Sequence, residues 1–214
     1  MRFFVVRHGE TAWNVEGRFQ GQMDIPLNNK GIVQAERLAQ RFIGHKFSAI
    51  ISSPLSRAHV TAAKIAEVAV YDEFITDALL TEINHGDWEG CLADEIKKSW
   101  PDDFKTWHDT PEKVTMPGAY GESLQDVYRR STDFAEKVAA KYTGDVLIAS
   151  HDAVIKTLLC YWLDAPVSSF WRFQIANCSI TAVEILKGKS PRLSLLGDAS
   201  HLYQNFDRPE QKGL

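Results

Sequence analysis

Short apolar runs alternate along this chain with longer stretches in which apolar residues recur at helical spacing. The short runs are rich in valine, isoleucine and phenylalanine and end abruptly in polar residues, which is typical of strands buried on both faces of a sheet. Two further runs near the C-terminus are predicted as closing strands at an edge. The pattern predicts strands at residues 3–6, 47–51, 73–76, 146–149, 179–186 and 192–196.

The stretches between the early strands predict helices with recognisable start signals. Asn28 or Asn29 is suited to N-cap a helix over about residues 30–44. One face of that helix is apolar. Ser53 as N-cap and Pro54 as first helical residue predict the next helix. The first helix is expected to bury Ile32, Ala35, Leu38, Ala39 and Phe42.

Two later helices complete the alternation of strands and helices. A long amphipathic helix follows residues 121–123, and Ser150 or Asp152 is predicted to cap another that reaches about residue 163. This order predicts a three-layer α/β/α sandwich with a mostly parallel central sheet. We assign residues 1–214 to a single domain, in which the proline-rich and tryptophan-rich region 92–121 forms a small inserted cap.

Composition narrows the functional classes. The chain has 214 residues, 44% hydrophobic and 24% charged, with a net charge of −4, which argues against nucleic acid or an anionic membrane as partner. No signal peptide or transmembrane segment is evident. Three widely spaced cysteines suit reduced thiols, so a cytoplasmic location is expected. The oligomeric state, monomer or homodimer, stays open.

The candidate chemistry lies where predicted strands end. In open α/β sheets, ligands bind beyond the carboxyl ends of the strands. There the chain carries Arg7 and His8, then Arg57, and finally His151, while Glu82 lies in the loop after the third strand. Arginines repel a metal ion, but their planar forks suit a dianionic phosphate. A zinc site is not predicted, since the H-x-E sequence that begins at residue 8 lacks a matching P-C-x-x-C.

Five motifs in a fixed order resemble the histidine phosphatase superfamily. This family includes cofactor-dependent phosphoglycerate mutases and many small-molecule phosphatases. The chain is most similar to its compact bacterial phosphatases, such as α-ribazole phosphatase-like and metal-independent phosphoserine phosphatase-like members. The motifs are R-H-G-E-T with Asn14, S-S-P-L-S-R-A, L-L-T-E-I-N-H-G-D-W-E-G, G-E-S and V-L-I-A-S-H.

The resemblance implies a role for each residue at the strand ends. His8 corresponds to the nucleophile that becomes a phosphohistidine, and Glu82 corresponds to the general acid and base. Arg7, Arg57 and His151 correspond to the groups that bind the phosphoryl oxygens. The implied partner is a small phosphorylated metabolite, with no metal and no cofactor. Phosphoserine and α-ribazole 5′-phosphate are the candidate esters.

Four further residues match positions near the substrate: Asn14, Gln20, His85 and Asp152. Many relatives have glycine where Asp152 stands, so its carboxylate either restricts anionic substrates or caps the following helix. Thr11 is predicted as an N-cap. Near the C-terminus, His201 and Tyr203 either close the pocket or pack on the last strand, and a polar, mobile tail is expected beyond Phe206.

Two other functions stay open at this point. A phosphoglycerate mutase would use the same catalytic residues and return the phosphoryl group to substrate. A non-catalytic binder of phosphorylated ligands would use the same fold, although it needs no general acid. The fate of the phosphoryl group separates these alternatives.

Overall fold

The computed structural model describes residues 1–186 and 188–203, so the tail predicted beyond Phe206 lies outside the described residues. Its strands include six that form the central sheet and a separate parallel pair, β2 and β4. The strands are β1 Arg2–Arg7, β2 Lys46–Phe47, β3 Ala49–Ser52, β4 Val70–Tyr71, β5 Phe74–Thr76, β6 Val146–Ser150, β7 Ile180–Glu184 and β8 Arg192–Asp198.

The sheet has the order β5-β3-β6-β1-β7-β8. The first four of these strands run parallel to one another. β7 is antiparallel to β1, and β8 is antiparallel to β7 at the edge. The mostly parallel sheet and the closing strands at its edge are therefore confirmed. β1, which carries the first candidate residues, lies inside the sheet between β6 and β7.

Helices cover both faces of this sheet. Alternate residues of the strands enter two separate cores, as the side-chain alternation along a strand requires. Phe3 and Val5 join one core, together with residues of the helices at 124–141 and 152–162, whereas Val6 joins the other with residues of the helices at 29–40 and 56–66. The predicted three layers are confirmed. The helices are α1 Ala12–Glu16, α2 Asn29–Gln40, α3 Ser56–Ala66, α4 Ala93–Ser99, α5 Pro101–Asp109, α6 Leu124–Lys141 and α7 Asp152–Trp162.

The region 92–121 packs against the core on the α6 and α7 side. α4, α5 and a 3-10 turn at Pro111–Lys113 make up most of it. Trp107 of α5 is 1% exposed, and its carbonyl accepts a 2.7 Å hydrogen bond from the indole of Trp171. This tryptophan therefore serves packing, and it ties the region to the segment that follows α7. The assignment of the region as a cap stays a prediction.

Several helix ends differ from the sequence-based prediction. Asn28 caps α2 through a side-chain bond to the Gly31 amide, but the helix ends at Gln40, and Ile32 is exposed. Thr11 caps α1 in a capping box with Asn14, as predicted. α3 begins at Ser56 with Leu55 as its N-cap, so the prediction for Ser53 and Pro54 was wrong.

The cap predicted for α7 was also wrong. His151 occupies the N-cap position without a side-chain capping bond. The Ser150 hydroxyl donates instead to the Leu80 carbonyl at 2.8 Å, and Asp152 is the first residue of the helix. Both capping candidates are thus used for tertiary contacts. No helix among the described residues is both long enough and apolar enough to cross a membrane.

Candidate functional site

The carboxyl ends of neighbouring parallel strands meet beside one open cavity of about 310 Å³, a volume that includes its mouth. Arg7 and His8 follow β1, Arg57 lies at the start of α3 after β3, and the loop after β5 supplies Glu82. The structure therefore brings together the residues predicted at the strand ends. Seven of the predicted residues line the cavity: Arg7, His8, Asn14, Gln20, Arg57, Glu82 and His85.

His8 is held in one tautomer by its own backbone. Its Nδ1 lies 2.7 Å from the carbonyl oxygen of Gly9, which can only accept a hydrogen bond, so Nδ1 carries the proton. Nε2 is therefore the ring nitrogen with the free lone pair. Burial, reinforced by Arg57 and Arg7, lowers the pKa of His8 well below its ordinary value. The imidazole is consequently neutral and nucleophilic near neutral pH.

The two buried arginines are oriented by backbone carbonyls. Nη1 of Arg7 donates to the Ile175 carbonyl at 2.6 Å. Arg57 donates from Nη1 to the Met23 carbonyl and from Nη2 to the Gly21 carbonyl, both at 2.8 Å. Burial lowers the pKa of Arg57 to about 10, which still leaves it charged. Backbone carbonyls thus fix the orientation of both guanidinium groups, and both arginines line the cavity.

Glu82 is a buried carboxyl beside these arginines. Its Oε1 accepts hydrogen bonds from the Ile83 amide at 2.9 Å and from the Ala153 amide at 3.2 Å. Burial raises its pKa, and the nearby carboxylate of Asp152 raises it further, while Arg57 and Arg7 act in the opposite direction. The net shift is upward, so this group can hold a proton at a higher pH than an exposed glutamate.

The second histidine does not line the described cavity, but its ring lies next to that of the first. The ring centroids of His8 and His151 are 5.1 Å apart. His151 is 0% exposed, and its Nε2 lies 2.8 Å from the Ser53 hydroxyl. Burial, followed by Arg57 and His8, lowers the pKa of His151 well below its ordinary value. Its Nδ1 has no hydrogen-bond partner in the described structure, so it is a free polar atom beside the cavity residues.

Asn14 and Gln20 are joined through Thr11. The Thr11 hydroxyl donates to Oε1 of Gln20 at 2.9 Å, and its amide donates to Oδ1 of Asn14 at 3.1 Å. Asn177 adds a bond from Nδ2 to the His8 carbonyl at 2.9 Å. This network holds the wall of the cavity next to His8.

His85 and Asp152 occupy different surroundings. His85 lines the cavity, with its ring against Phe19 and Trp107, and burial lowers its pKa to about 3. Asp152 is 0% exposed and does not line the cavity. It lies beside Arg7 rather than against the open space, and its role as a substrate contact stays a prediction.

Sequence reasoning missed three residues that line the cavity: Arg18, Phe19 and Gly21. Arg18 donates to the Gly90 carbonyl at 2.7 Å and pairs with Glu16 at 2.6 Å, so a third guanidinium is held at the cavity wall. Arg18 and Phe19 lie between Asn14 and Gln20 in the sequence, and Gly21 follows Gln20. This closeness to predicted site residues was the signal that could have identified them. His201 and Tyr203 do not line the described cavity.

The arrangement suits transfer of a phosphoryl group. A neutral imidazole nitrogen, two oriented guanidinium groups and a carboxyl with a raised pKa face one cavity. The arginines match the oxygens of a phosphoryl group, and the carboxyl can protonate a leaving oxygen. The described residues contain no group of three or more His, Cys, Asp or Glu side chains arranged to hold a metal ion.

Comparisons with known proteins find a family model and a relative that match most of the chain. A model of the histidine phosphatase superfamily (branch 1) matches residues 3–199. The chain is 36% identical over 196 residues to phosphoserine phosphatase 1 of Hydrogenobacter thermophilus, covering 91% of this chain and 92% of that protein.

Two solved structures share the fold over nearly their whole length. Bacillus stearothermophilus YhfR has a TM-score of 0.87 at 33% identity, covering 94% of this chain and 99% of that one. A phosphoserine phosphatase mutant from Entamoeba histolytica, solved in complex with phosphoserine, has a TM-score of 0.82 at 30% identity, with 94% and 99% covered.

Proposed function

The chain belongs to the histidine phosphatase superfamily, and on that premise we propose that it hydrolyses phosphomonoesters of small metabolites through a phosphohistidine on His8. The family resemblance drawn from the five sequence motifs is confirmed by the match over residues 3–199. The proposal concerns the reaction and the roles of the residues that line the cavity.

One observation carries the proposal. Nδ1 of His8 is committed to the Gly9 carbonyl at 2.7 Å, which leaves Nε2 unprotonated in a residue that lines the cavity. A ring nitrogen with a free lone pair, placed beside two buried arginines, is an activated nucleophile for phosphorus. A binding protein would have no need to fix this tautomer.

In the first step, Nε2 of His8 attacks the phosphorus atom and forms a P–N bond. The bond between phosphorus and the ester oxygen breaks, and Glu82 donates its proton to the departing alkoxide. Arg7, Arg57 and His151 stabilise the charge that spreads over the three equatorial oxygens. The raised pKa of Glu82 favours the protonated form that this step requires.

In the second step, water attacks the phosphohistidine. The carboxylate of Glu82 takes a proton from that water, the P–N bond breaks, and inorganic phosphate leaves. Glu82 is then protonated again and His8 is neutral, so both groups are ready for another cycle. The positive charge for this chemistry comes from arginines, and for that reason we propose a reaction without a metal ion.

We infer phosphoserine as the first substrate to test. A relative that is 36% identical is named phosphoserine phosphatase, and a structural neighbour was solved with phosphoserine. Arg18, which is paired with Glu16, adds a further guanidinium to the cavity lining. α-Ribazole 5′-phosphate stays the second candidate.

The decisive experiment measures phosphate release in EDTA from phosphoserine, 3-phosphoglycerate, α-ribazole 5′-phosphate and an aryl phosphate. His8→Ala serves as the control. We expect release with the wild type, no release with the variant, and an acid-labile phosphoryl group on the wild-type protein after rapid quenching. Interconversion of 3- and 2-phosphoglycerate without release would establish the mutase, and ligand binding without turnover would establish the binder.

A further inference from the structure

A buried ion pair lies behind Arg7. Nζ of Lys156 is 2.6 Å from Oδ2 of Asp152, one turn earlier on α7, and the two side chains are 2% and 1% exposed. Burying two charges is costly unless they are paired. The rings of Phe170 and Trp171 stabilise the buried ammonium group through cation–π contacts, because Nζ lies 4.6 Å and 4.8 Å from their centroids.

The other oxygen of this carboxylate faces an arginine of the cavity. Oδ1 of Asp152 lies 3.5 Å from Nη1 of Arg7, the same atom that donates to the Ile175 carbonyl. This nitrogen of the guanidinium is therefore fixed by one hydrogen bond, to the Ile175 carbonyl, and by an ion pair with Asp152. The remaining part of the planar fork is held in a fixed orientation, which matters because small displacements of catalytic groups are costly.

The same helix start also contacts the candidate acid. The Ala153 amide, next in sequence after Asp152, donates to Oε1 of Glu82 at 3.2 Å. A single turn of α7 thus contacts both Arg7 and Glu82. Asp152 itself does not line the cavity, so any effect it has on the reaction passes through these neighbours.

We propose that Asp152, held in place by Lys156, is a positioning residue that acts through Arg7 and Glu82 and does not touch the substrate. This inference rests on the proposed function. Asp152 fixes the direction of the Arg7 fork, and its negative charge favours the protonated form of Glu82. Lys156 keeps the carboxylate of Asp152 from moving closer to Arg7, where it would neutralise the charge of the guanidinium.

Several charged groups act together on Glu82. Arg7 faces it from β1, Arg57 from α3 and Asp152 from α7, and Arg130 of α6 donates to the Glu82 carbonyl at 3.1 Å. Of these groups, Asp152 is the negative one. Loss of the Asp152 charge therefore lowers the pKa of Glu82.

The first test compares the pH dependence of kcat/KM for phosphoserine in the wild type and Asp152→Asn. We expect the basic limb to move to lower pH by about one unit, the usual scale for removal of a neighbouring like charge. Ionisation of the ester is the same for both proteins, so the displacement belongs to the enzyme. Asp109→Asn is the matched control, since Asp109 pairs with Lys105 one turn away on the exposed face of α5, and it should leave the profile unchanged.

A double-mutant cycle tests the role of Lys156. Lys156→Met leaves Asp152 with Arg7 as its remaining cationic neighbour, and we expect kcat/KM to fall about tenfold to a hundredfold as the fork is displaced. Adding Asp152→Asn should recover part of that loss, because the unpaired carboxylate is gone. The double variant also buries no charge at this position, so it provides a folded protein for the pH measurement if Asp152→Asn alone does not fold.

An unshifted basic limb in Asp152→Asn, or in the double variant, would overturn the inference, and so would strictly additive effects in the cycle. This result differs from a failure of the proposed function. If the proposed function is wrong, the wild-type protein releases no phosphate. If only the inference about Asp152 is wrong, the wild-type protein releases phosphate and the basic limb of the variant's pH profile is unshifted.

Discussion

Nε2 of His151 and the hydroxyl oxygen of Ser53 lie 2.8 Å apart. The contact joins the end of β3 to the end of β6 across 98 positions of sequence. Both residues are buried, so this bond is exchanged with water only if the structure opens. The bond fixes the position of His151 next to the residues that line the cavity.

Ser53→Ala tests this contact. The variant leaves a buried ring nitrogen without its partner, at a cost of about 1–3 kcal/mol. We expect kcat/KM for phosphoserine to fall about tenfold, which corresponds to about 1.4 kcal/mol of transition-state stabilisation. Ser56→Ala is the matched control, because the Ser56 hydroxyl donates to Asp24 at an exposed position. Equal activity of the two variants would contradict the role assigned to Ser53.

Glu82→Gln tests the general acid. The amide cannot supply a proton, so we expect turnover of phosphoserine to fall by about 10²–10⁴-fold. An aryl phosphate has a better leaving group and should lose much less. The basic limb of the wild-type pH profile, which the raised pKa of Glu82 places above the ordinary carboxyl range, should disappear in the variant. An equal loss on both esters would show that Glu82 has no acid role.

His85→Phe tests how a buried neutral histidine affects stability. Its pKa of about 3 in the folded protein lies below the ordinary value of 6.5, so the unfolded chain binds the extra proton first as the pH falls. The free energy of unfolding should therefore drop by up to about 1.4 kcal/mol per pH unit from this group between about pH 6 and pH 4.

The phenylalanine variant lacks this contribution and keeps the ring contacts with Phe19 and Trp107. Urea unfolding at a series of pH values measures the two slopes. The wild type should lose stability more steeply on acidification than His85→Phe. Parallel curves would mean that His85 has the same pKa in both states.

Gly21→Ala tests the cavity wall. Gly21 has a φ of +50°, and a Cβ there would collide with the Glu89 carboxylate, while its carbonyl accepts from Arg57. We expect a stability loss of more than about 1 kcal/mol together with reduced phosphate release. Gly44→Ala is the control, since it has a φ of +68° with open space around the new Cβ. The control should lose about 1 kcal/mol of stability and keep its activity. A fully active Gly21→Ala variant would contradict the assignment of Gly21 to the wall of the functional cavity.

Much of the fold follows from local pattern. Apolar runs that end in charge predicted the parallel strands, and parallel strands share one edge for their carboxyl ends. That is why the amino-acid sequence alone suffices to place Arg7, His8 and Glu82 together. The register of the strands and the first residues of the helices depend on contacts with residues distant in sequence. Local patterns therefore predict them less well. Ser53 has a good capping side chain, yet its hydroxyl contacts His151, and the helix begins later.

Asp152 shows why the rest could not be predicted. A carboxylate at a helix start is usually a cap or a surface group. Here it is buried, and its partners are Lys156 and Arg7. A signal was present, because a lysine one turn away on an otherwise apolar helix has to be paired if it is buried. The distance to Arg7, in contrast, depends on how α7 meets β1, which no local pattern specifies.

The central position of β1 has a consequence for how the protein is made. Phe3 pairs with Val146 on one side and with Val183 on the other, so both neighbours of this strand are synthesised long after it. The segment that bears His8 is synthesised before both of its neighbours, and it stays unpaired until they have been made. Such distant pairings slow folding, and they leave an apolar segment exposed in the meantime. A nascent chain that stops before β7 would lack one neighbour of β1, so catalytic competence should arise only after β7 has been synthesised.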